Sequence, residues 1–102
     1  MSTLHTVNKS PFSHSALSSC LQACGADDSV LLLEDGVLGA LTSSPCSDEI
    51  NALINTGVKI YALCDDIKAR GLTDKVDARI HRTDYQGFVE LSIEHRCIQS
   101  WY

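Results

Sequence analysis

Five cysteines give this chain its clearest source of chemistry. Cys64 directly follows the apolar segment Val58–Leu63 and precedes a segment that ends at Gly71. This pattern predicts a buried strand that runs into a short helix. In open α/β sheets, ligands and reactive groups usually lie at the carboxyl ends of the strands. The position of Cys64 therefore makes it a candidate nucleophile.

The residues that follow Cys64 oppose thiolate chemistry. A reactive cysteine is one whose thiolate is stabilised, because the thiolate is the nucleophile. Asp65 and Asp66 come next in the sequence. Either can cap the predicted helix, and their negative charges disfavour another negative charge nearby while competing for the helix dipole. The alternative role for Cys64 is that of a small buried hydrophobic residue.

Cys20 and Cys24 form a second group of candidates. Apolar residues recur at steps of three or four up to Cys24, which predicts a helix with Ser10 as its N-cap, Pro11 at its first position and Gly25 at its end. Both thiols then share one apolar face, where a cysteine most often packs in the core. Parallel side chains on one helix face also make the torsion of a disulfide hard to reach.

The other cysteines and the histidines show no spacing typical of a metal site. Cys46 and Cys97 are interpreted as structural. Neither C-x-x-C nor H-x-x-x-H occurs, and the histidines stand far apart, at His5, His14, His81 and His95. The Gly-x-Gly-x-x-Gly pattern of dinucleotide sites is missing too. The sequence therefore predicts neither a metal nor a cofactor.

Composition favours a soluble cytoplasmic protein. A chain of 102 residues can bury about 65% of the surface that it exposes when unfolded, which predicts a single domain over residues 1–102. We find no signal-peptide pattern and no apolar segment of membrane length, so we expect reduced thiols in the cytoplasm and no membrane contact. The net charge of −5, with only eight scattered Lys and Arg residues, disfavours direct nucleic-acid binding.

Strand and helix signals alternate along the whole chain. Predicted strands lie near residues 4–7, 30–33, 58–63, 80–81 and 97–101. The segments between them are predicted to form helices or helical turns. The continuous apolar run Val30–Leu33 is typical of a strand that is covered on both faces. The alternation predicts a three-layer α/β domain with a mainly parallel sheet of about five strands.

Several of these segments, taken together, resemble one protein family. Their order and spacing span nearly the whole chain, and they are Leu4-His5-Thr6, Ser10-Pro11-Phe12, Leu31 to Val37, Tyr61-Ala62-Leu63, Ala69 to Leu72, Asp84-Tyr85, Phe88-Val89 and Trp101. On these residues the chain resembles the DsrH/TusB family, whose members are subunits of bacterial sulfur-relay complexes and a branch of the DsrE-like superfamily.

The resemblance implies a flavodoxin-like fold and a part in the transfer of persulfide sulfur. It implies association with two homologous subunits, DsrE/TusD-like and DsrF/TusC-like, in a heterohexamer that passes sulfur to a small carrier protein, DsrC/TusE-like. Oxidative sulfur metabolism in the cytoplasm is the expected context. Thiolation of the tRNA wobble uridine and a purely structural subunit are the alternatives.

The resemblance also ranks the thiols. Family members from sulfur-oxidising bacteria are similar to this chain in carrying a cysteine in the first helix, which makes Cys20 the first candidate for a catalytic residue. Cys64 is the second, because its place resembles that of the reactive cysteine in the homologous subunit.

Overall fold

The computed structural model describes residues 2–102. The strands are β1 (Thr3–Val7), β2 (Ser29–Leu32), β3 (Lys59–Leu63), β4 (His81–Thr83) and β5 (Cys97–Trp101). The helices are α1 (Ala16–Ala23), α2 (Ser47–Asn55), α3 (Cys64–Ala69) and α4 (Tyr85–Glu94), and a 3₁₀ helix, Glu34–Ala40, follows β2. No helix in this part of the chain has the length and apolarity needed to cross a membrane.

The strands form one sheet in the order β4-β3-β2-β1-β5, and every pairing is parallel. The predicted α/β class and the parallel five-stranded sheet are therefore confirmed. β2 lies at the centre of the sheet, and its residues Val30, Leu31 and Leu32 are fully buried. Their unbroken apolar character follows from cover on both faces, since no side of this strand meets water.

Helices α1, α2 and α3 cover one face of the sheet. Val30 and Ile60 project from the sheet into a core cluster that contains Leu17 of α1, Ile50 of α2 and Ile67 of α3. These helices connect strands that are added successively toward one edge, β1 to β4. Because parallel crossovers are right-handed, all three helices must lie on the same face.

Helix α4 covers the opposite face alone. It links β4 at one edge to β5 at the other and so reverses the direction of strand addition, which places it on the other face by the same rule. Leu91 of α4 packs there against Leu4 and Leu31. The three predicted layers are therefore present, with one layer formed by a single helix.

Helix α1 is shorter than the sequence predicts. The main chain at Ser10 forms only a turn, in which its carbonyl accepts from the His14 amide at 3.0 Å and its hydroxyl accepts from the Phe12 amide at 3.2 Å. Phe12 is 57% exposed, so it does not anchor this segment in the core. The helix begins at Ala16, and the prediction that it starts at Pro11 is wrong.

Candidate functional site

Cys20, Cys24 and His5 come together beside β1. Cys20 lies on α1, and Cys24 directly follows the end of that helix at Ala23. The two Sγ atoms and a ring nitrogen of His5 all lie within 4.8 Å of one another. No sequence signal assigned His5 to this group, because 14 residues of varied sequence separate it from Cys20 and only the packing of α1 on β1 makes them neighbours.

His5 is held by hydrogen bonds at both ring nitrogens. Its Nδ1 accepts from the indole Nε1 of Trp101 at 3.0 Å, and an indole nitrogen can only donate. Nδ1 is therefore unprotonated, and Nε2 carries the hydrogen that it donates to Asp28 Oδ2 at 2.9 Å. Although histidine and two cysteines are zinc-type ligands, both nitrogens of His5 are already engaged. We interpret the group as a thiol pair beside a fixed, neutral imidazole.

Asp28 anchors this imidazole to three parts of the fold. Besides His5, its carboxylate accepts from the backbone amides of Thr3 at 3.0 Å and Gly25 at 2.9 Å, which lie at the start of β1 and just beyond α1. Burial alone would raise the pKa of Asp28, but the hydrogen bonds from Gly25, His5 and Thr3 together lower it below the ordinary value. Since Asp28 directly precedes β2, this carboxylate marks the amino-terminal end of the sheet.

The two thiols of the pair have opposite environments. Cys20 is fully buried among core residues, whereas Cys24 is only partly buried. The hydrogen bond to Cys24 raises the pKa of Cys20, and burial adds to the effect. The same hydrogen bond lowers the pKa of Cys24, against the opposing effects of its own partial burial and of the Asp28 carboxylate. If one thiol of the pair ionises, it is Cys24.

Cys24 is the C-cap residue of α1. Its φ of −70° is still helical, whereas its ψ of 132° is extended, so the chain leaves the helix only after Cys24. The Sγ atoms of Cys20 and Cys24 lie within 4.8 Å of each other, which agrees with the predicted placement of both thiols on one face. Both are free thiols in this structure.

Cys64 lies at the other end of the sheet. It is the first residue of α3 and directly follows the last residue of β3, so it stands at the carboxyl end of the strands as predicted. It is partly buried. The structure thus does not bring together the two candidate catalytic residues, Cys20 and Cys64.

The acidic residues after Cys64 do not cap α3. The N-cap is Leu63, and no side chain caps the helix. The Asp66 carboxylate instead accepts from the backbone amide of Glu34 at 2.7 Å and lies 3.8 Å from Arg70 Nη1. This cation and hydrogen bond offset the charge of Asp66.

The remaining two cysteines lie outside these sites. Cys46 is 7% exposed and packs in the main core, where burial raises its pKa. Cys97 is exposed on the edge strand β5. The structural role predicted for Cys46 agrees with its burial, whereas Cys97 is an open surface thiol.

A polar cleft of about 350 Å³ opens under α4, near Asp28. Lys59, Tyr61, Glu94 and His95 contribute to its walls, and burial followed by the charge of Glu94 raises the pKa of Tyr61. Within residues 2–102 no cysteine lines this cleft. Asp28, the carboxylate that anchors His5, also lines this cleft, so the cleft adjoins the thiol group without containing a thiol.

Two solved structures share this fold at low sequence identity. The ychN protein from E. coli matches with a TM-score of 0.82 and 14% identity, over 98% of this chain and 99% of that chain. The protein of unknown function MTH1491 from Methanobacterium thermoautotrophicum matches with a TM-score of 0.80 and 18% identity, over 97% of both chains. At such identities the likeness concerns the fold alone.

Several proteins have a higher sequence identity to this chain than those two structures have. The chain is 40% identical over 98 residues to Protein TusB of Serratia proteamaculans (strain 568) and 38% identical over 98 residues to Protein TusB of Enterobacter sp. (strain 638). Each match covers 96% of this chain and 99% of the relative. The profile of the family described as DsrH like protein matches residues 9–98. The chain therefore belongs to the DsrH family.

Proposed function

We propose that this chain is a subunit of a cytoplasmic sulfur-relay complex that passes persulfide sulfur to a small carrier protein. The observation that carries the proposal is the Cys20–Cys24 thiol pair, which lies within 4.8 Å of a fixed imidazole in a chain of the DsrH family. Persulfide transfer needs a thiolate that a donor can reach, held where its charge is stabilised. Cys24 meets these needs, because it is partly exposed and its Sγ lies within 4.8 Å of the Cys20 Sγ.

Cys64 is the second thiol proposed to act in this function. Its position at the carboxyl end of β3 supports it, since this is the edge at which α/β sheets of this kind carry reactive groups. Because Cys64 and the thiol pair lie at opposite ends of the sheet, a substitution at one site leaves the other site intact. The two sites can therefore be tested separately.

Oxidative sulfur metabolism is the proposed pathway. It is favoured by Cys20, which the structure places in the first helix, the position that resembles members from sulfur-oxidising bacteria. Thiolation of the tRNA wobble uridine is the second candidate, favoured by the identity of 35–40% to relatives named TusB. In either pathway the net charge of −5 disfavours direct contact of this chain with tRNA.

An apolar surface on α4 supports assembly with homologous subunits. Tyr85, Val89 and Ile93 recur every four residues along one flank of the helix and are 59%, 52% and 80% exposed. Ile98 on β5 is 52% exposed and pairs with Leu4, so it lies on the same face of the sheet as α4. Several exposed apolar residues on one face of a protein are typical of an interface. We refer to Tyr85, Val89, Ile93 and Ile98 as the α4 surface.

Reconstitution tests the proposal. The chain is combined with its two homologous subunits and the carrier, the complex is loaded with cysteine persulfide, and the carrier is analysed by mass spectrometry for added sulfur. We expect transfer with the complete complex and loss of transfer when this chain is left out. Equal transfer without the chain would rule out a role in the relay, and transfer that survives Cys20→Ser, Cys24→Ser and Cys64→Ser together would leave it a structural subunit.

A deletion strain distinguishes the two pathways. Loss of sulfur oxidation with normal wobble-uridine thiolation supports the oxidative pathway. The reverse result assigns the chain to tRNA thiolation. Both phenotypes are measured in the same strain and restored with the wild-type gene.

A further inference from the structure

We infer that Cys24 is the member of the Cys20–Cys24 thiol pair that accepts sulfur, and that Cys20 is a positioning residue that donates a hydrogen bond to it. This inference rests on the proposed function and assigns the acceptor atom within the thiol pair. It differs from the expectation drawn from family resemblance, which favoured Cys20.

Accessibility separates the two thiols. Cys20 is 0% exposed and belongs to the core cluster that includes Leu17 and Leu21 of the same helix. A persulfide on a donor protein cannot reach its Sγ atom unless the core opens. Cys24 is the C-cap residue of α1, after which the chain leaves the helix. Of the two thiols in the pair, only Cys24 belongs to a residue that is partly exposed in the folded protein.

Proximity gives Cys20 its role. The Sγ atoms of both cysteines lie within 4.8 Å of each other and of a ring nitrogen of His5. A thiol next to a thiolate can donate its hydrogen to it, and a hydrogen bond to the charged form favours that form. The lowered pKa of Cys24 and the raised pKa of Cys20 both follow from this hydrogen bond.

Two other ionisable groups face the pair. The Asp28 carboxylate disfavours negative charge on both cysteines. Its own charge is shared among hydrogen bonds from His5 and from the backbone amides of Thr3 and Gly25. His5 contributes no positive charge, because Trp101 requires its Nδ1 to be unprotonated. Neither Asp28 nor His5 therefore stabilises the Cys24 thiolate. The hydrogen bond from Cys20 is the interaction that does.

The transfer step is a thiol–persulfide exchange. The Cys24 thiolate attacks the outer sulfur of a donor persulfide, R–S–S–H, and forms a new S–S bond while the S–S bond of the donor breaks. The donor leaves as the thiolate R–S⁻, and Cys24 becomes Cys–S–S–H. Sulfur and electrons balance without an oxidant or a reductant. The acceptor thiolate of the carrier then attacks the outer sulfur in the same way and regenerates the Cys24 thiolate.

A protonated Cys20 also protects the cargo. If Cys20 ionised, it could attack the inner sulfur of the Cys24 persulfide, form a Cys20–Cys24 disulfide and expel HS⁻. Its burial and its place as hydrogen-bond donor keep it protonated. The sulfur therefore stays on Cys24 until the carrier arrives.

Persulfide loading of single variants tests the assignment of Cys24. The full chain carries Cys97→Ser in every sample, because Cys97 is an exposed thiol that would add a background signal. Reduced protein is incubated with cysteine persulfide and analysed by intact mass and fragment spectra. We expect one added sulfur on Cys24 with wild-type Cys20 and with Cys20→Ser, and loss of that sulfur in Cys24→Ser. Sulfur that is found on Cys20, or that remains on the pair in Cys24→Ser, would overturn the assignment.

The pH dependence of loading tests the role of Cys20. Cys20→Ala removes the hydrogen-bond donor, so the pH at which sulfur loading is half-maximal should be higher than in wild type. Cys20→Ser keeps an O–H donor, so its half-maximal pH should lie closer to that of wild type. A purely structural role would leave the half-maximal pH unchanged in both variants, and that result would overturn the inference. Circular dichroism confirms the fold, and Cys20→Val replaces the alanine variant if that one fails to fold.

Failure of this inference and failure of the proposed function give different results. If the isolated chain and the complex load no sulfur on this subunit while the carrier is still charged only when the subunit is present, Cys24 is not the acceptor and the relay role stands. If the carrier is charged equally without the subunit, the relay role itself falls.

Discussion

The imidazole of His5 accepts a 3.0 Å hydrogen bond from the indole of Trp101, which lies 96 residues away in the sequence. The contact is possible because β5 pairs with β1 and places Trp101 opposite Val7. Side chains two positions apart on a strand share a face, so the indole projects beside His5. One bond thus connects the first strand to the last and fixes the tautomer of the histidine that faces the thiol pair.

Trp101→Phe removes the donor to His5 and should destabilise the protein by about 1–2 kcal/mol. The loss arises because Nδ1 of the buried imidazole is left without its partner. Urea unfolding followed by circular dichroism measures the change, since the variant lacks the only tryptophan. Tyr102→Phe is the control: Tyr102 is 85% exposed, and its variant should match wild type. If Trp101→Phe unfolded at the same urea concentration as wild type, the hydrogen bond between Trp101 and His5 would not contribute to stability.

Asp28→Asn should cost about 2 kcal/mol at neutral pH, because charge-assisted hydrogen bonds to His5, Thr3 and Gly25 are weakened. The pKa of Asp28 is lower in the folded chain than the ordinary value of 3.8. Its stabilising effect is therefore complete above pH 3.8 and is lost as the pH falls through the lowered pKa.

The pH dependence of this cost separates charge from shape. Urea midpoints of wild type and Asp28→Asn are compared at pH 7 and again below the lowered pKa, and the gap between them should shrink at acidic pH. A difference in urea midpoint that stays constant with pH would mean that Asp28→Asn destabilises the protein through the shape of the amide and not through the loss of charge.

Gly36→Ala should destabilise the protein by more than about 2 kcal/mol. A Cβ atom at this position would collide with the backbone carbonyl of Val7 at the end of β1, and backbone cannot move aside as a side chain can. Thermal or urea unfolding measures the loss. Gly25→Ala is the matched control, since its Cβ would meet only Asp28 at an ordinary 3.8 Å. Equal effects of the two substitutions would contradict the close approach at Gly36.

Glu34→Gly should stabilise the protein by about 0.5–1 kcal/mol. Glu34 has φ 51°, in the left-handed region that disfavours residues with a Cβ atom. The substitution relieves this strain and retains the backbone amide that Asp66 binds. Gly71→Ala makes the reverse change at φ 66° with no atom within 4 Å, so it should destabilise by about 1 kcal/mol. A fall in the urea midpoint of Glu34→Gly would refute the strain argument.

Ile93→Glu should weaken assembly and leave the isolated chain intact. Ile93 is 80% exposed on the α4 surface, so its replacement should change the free energy of unfolding by less than about 0.5 kcal/mol. A buried charge at an apolar interface is unfavourable, and co-purification with the homologous subunits should drop. Gln86→Glu adds the same charge to another exposed part of α4 and is the control. Undiminished co-purification of Ile93→Glu would place the interface elsewhere.

Local sequence patterns predicted most of the architecture. The apolar run at Val30–Leu32 indicated a central strand, and the segment around Cys64 indicated a strand followed by a helix. Such signals depend on neighbouring residues alone, through periodicity and turn chemistry. The first helix shows their limit: Ser10 and Pro11 have the residue types of a helix start, yet the chain makes only a turn there because the exposed Phe12 gains nothing from helical packing.

The candidate site depended on the tertiary structure. The sequence places Cys20 and Cys24 close together, but their different burial arises from the end of α1 at Ala23 and the packing of that helix on the sheet. His5 and Trp101 have no local signal that joins them. Their contact exists because the last strand adds beside the first, and neighbours in a sheet are set by the path of the whole chain.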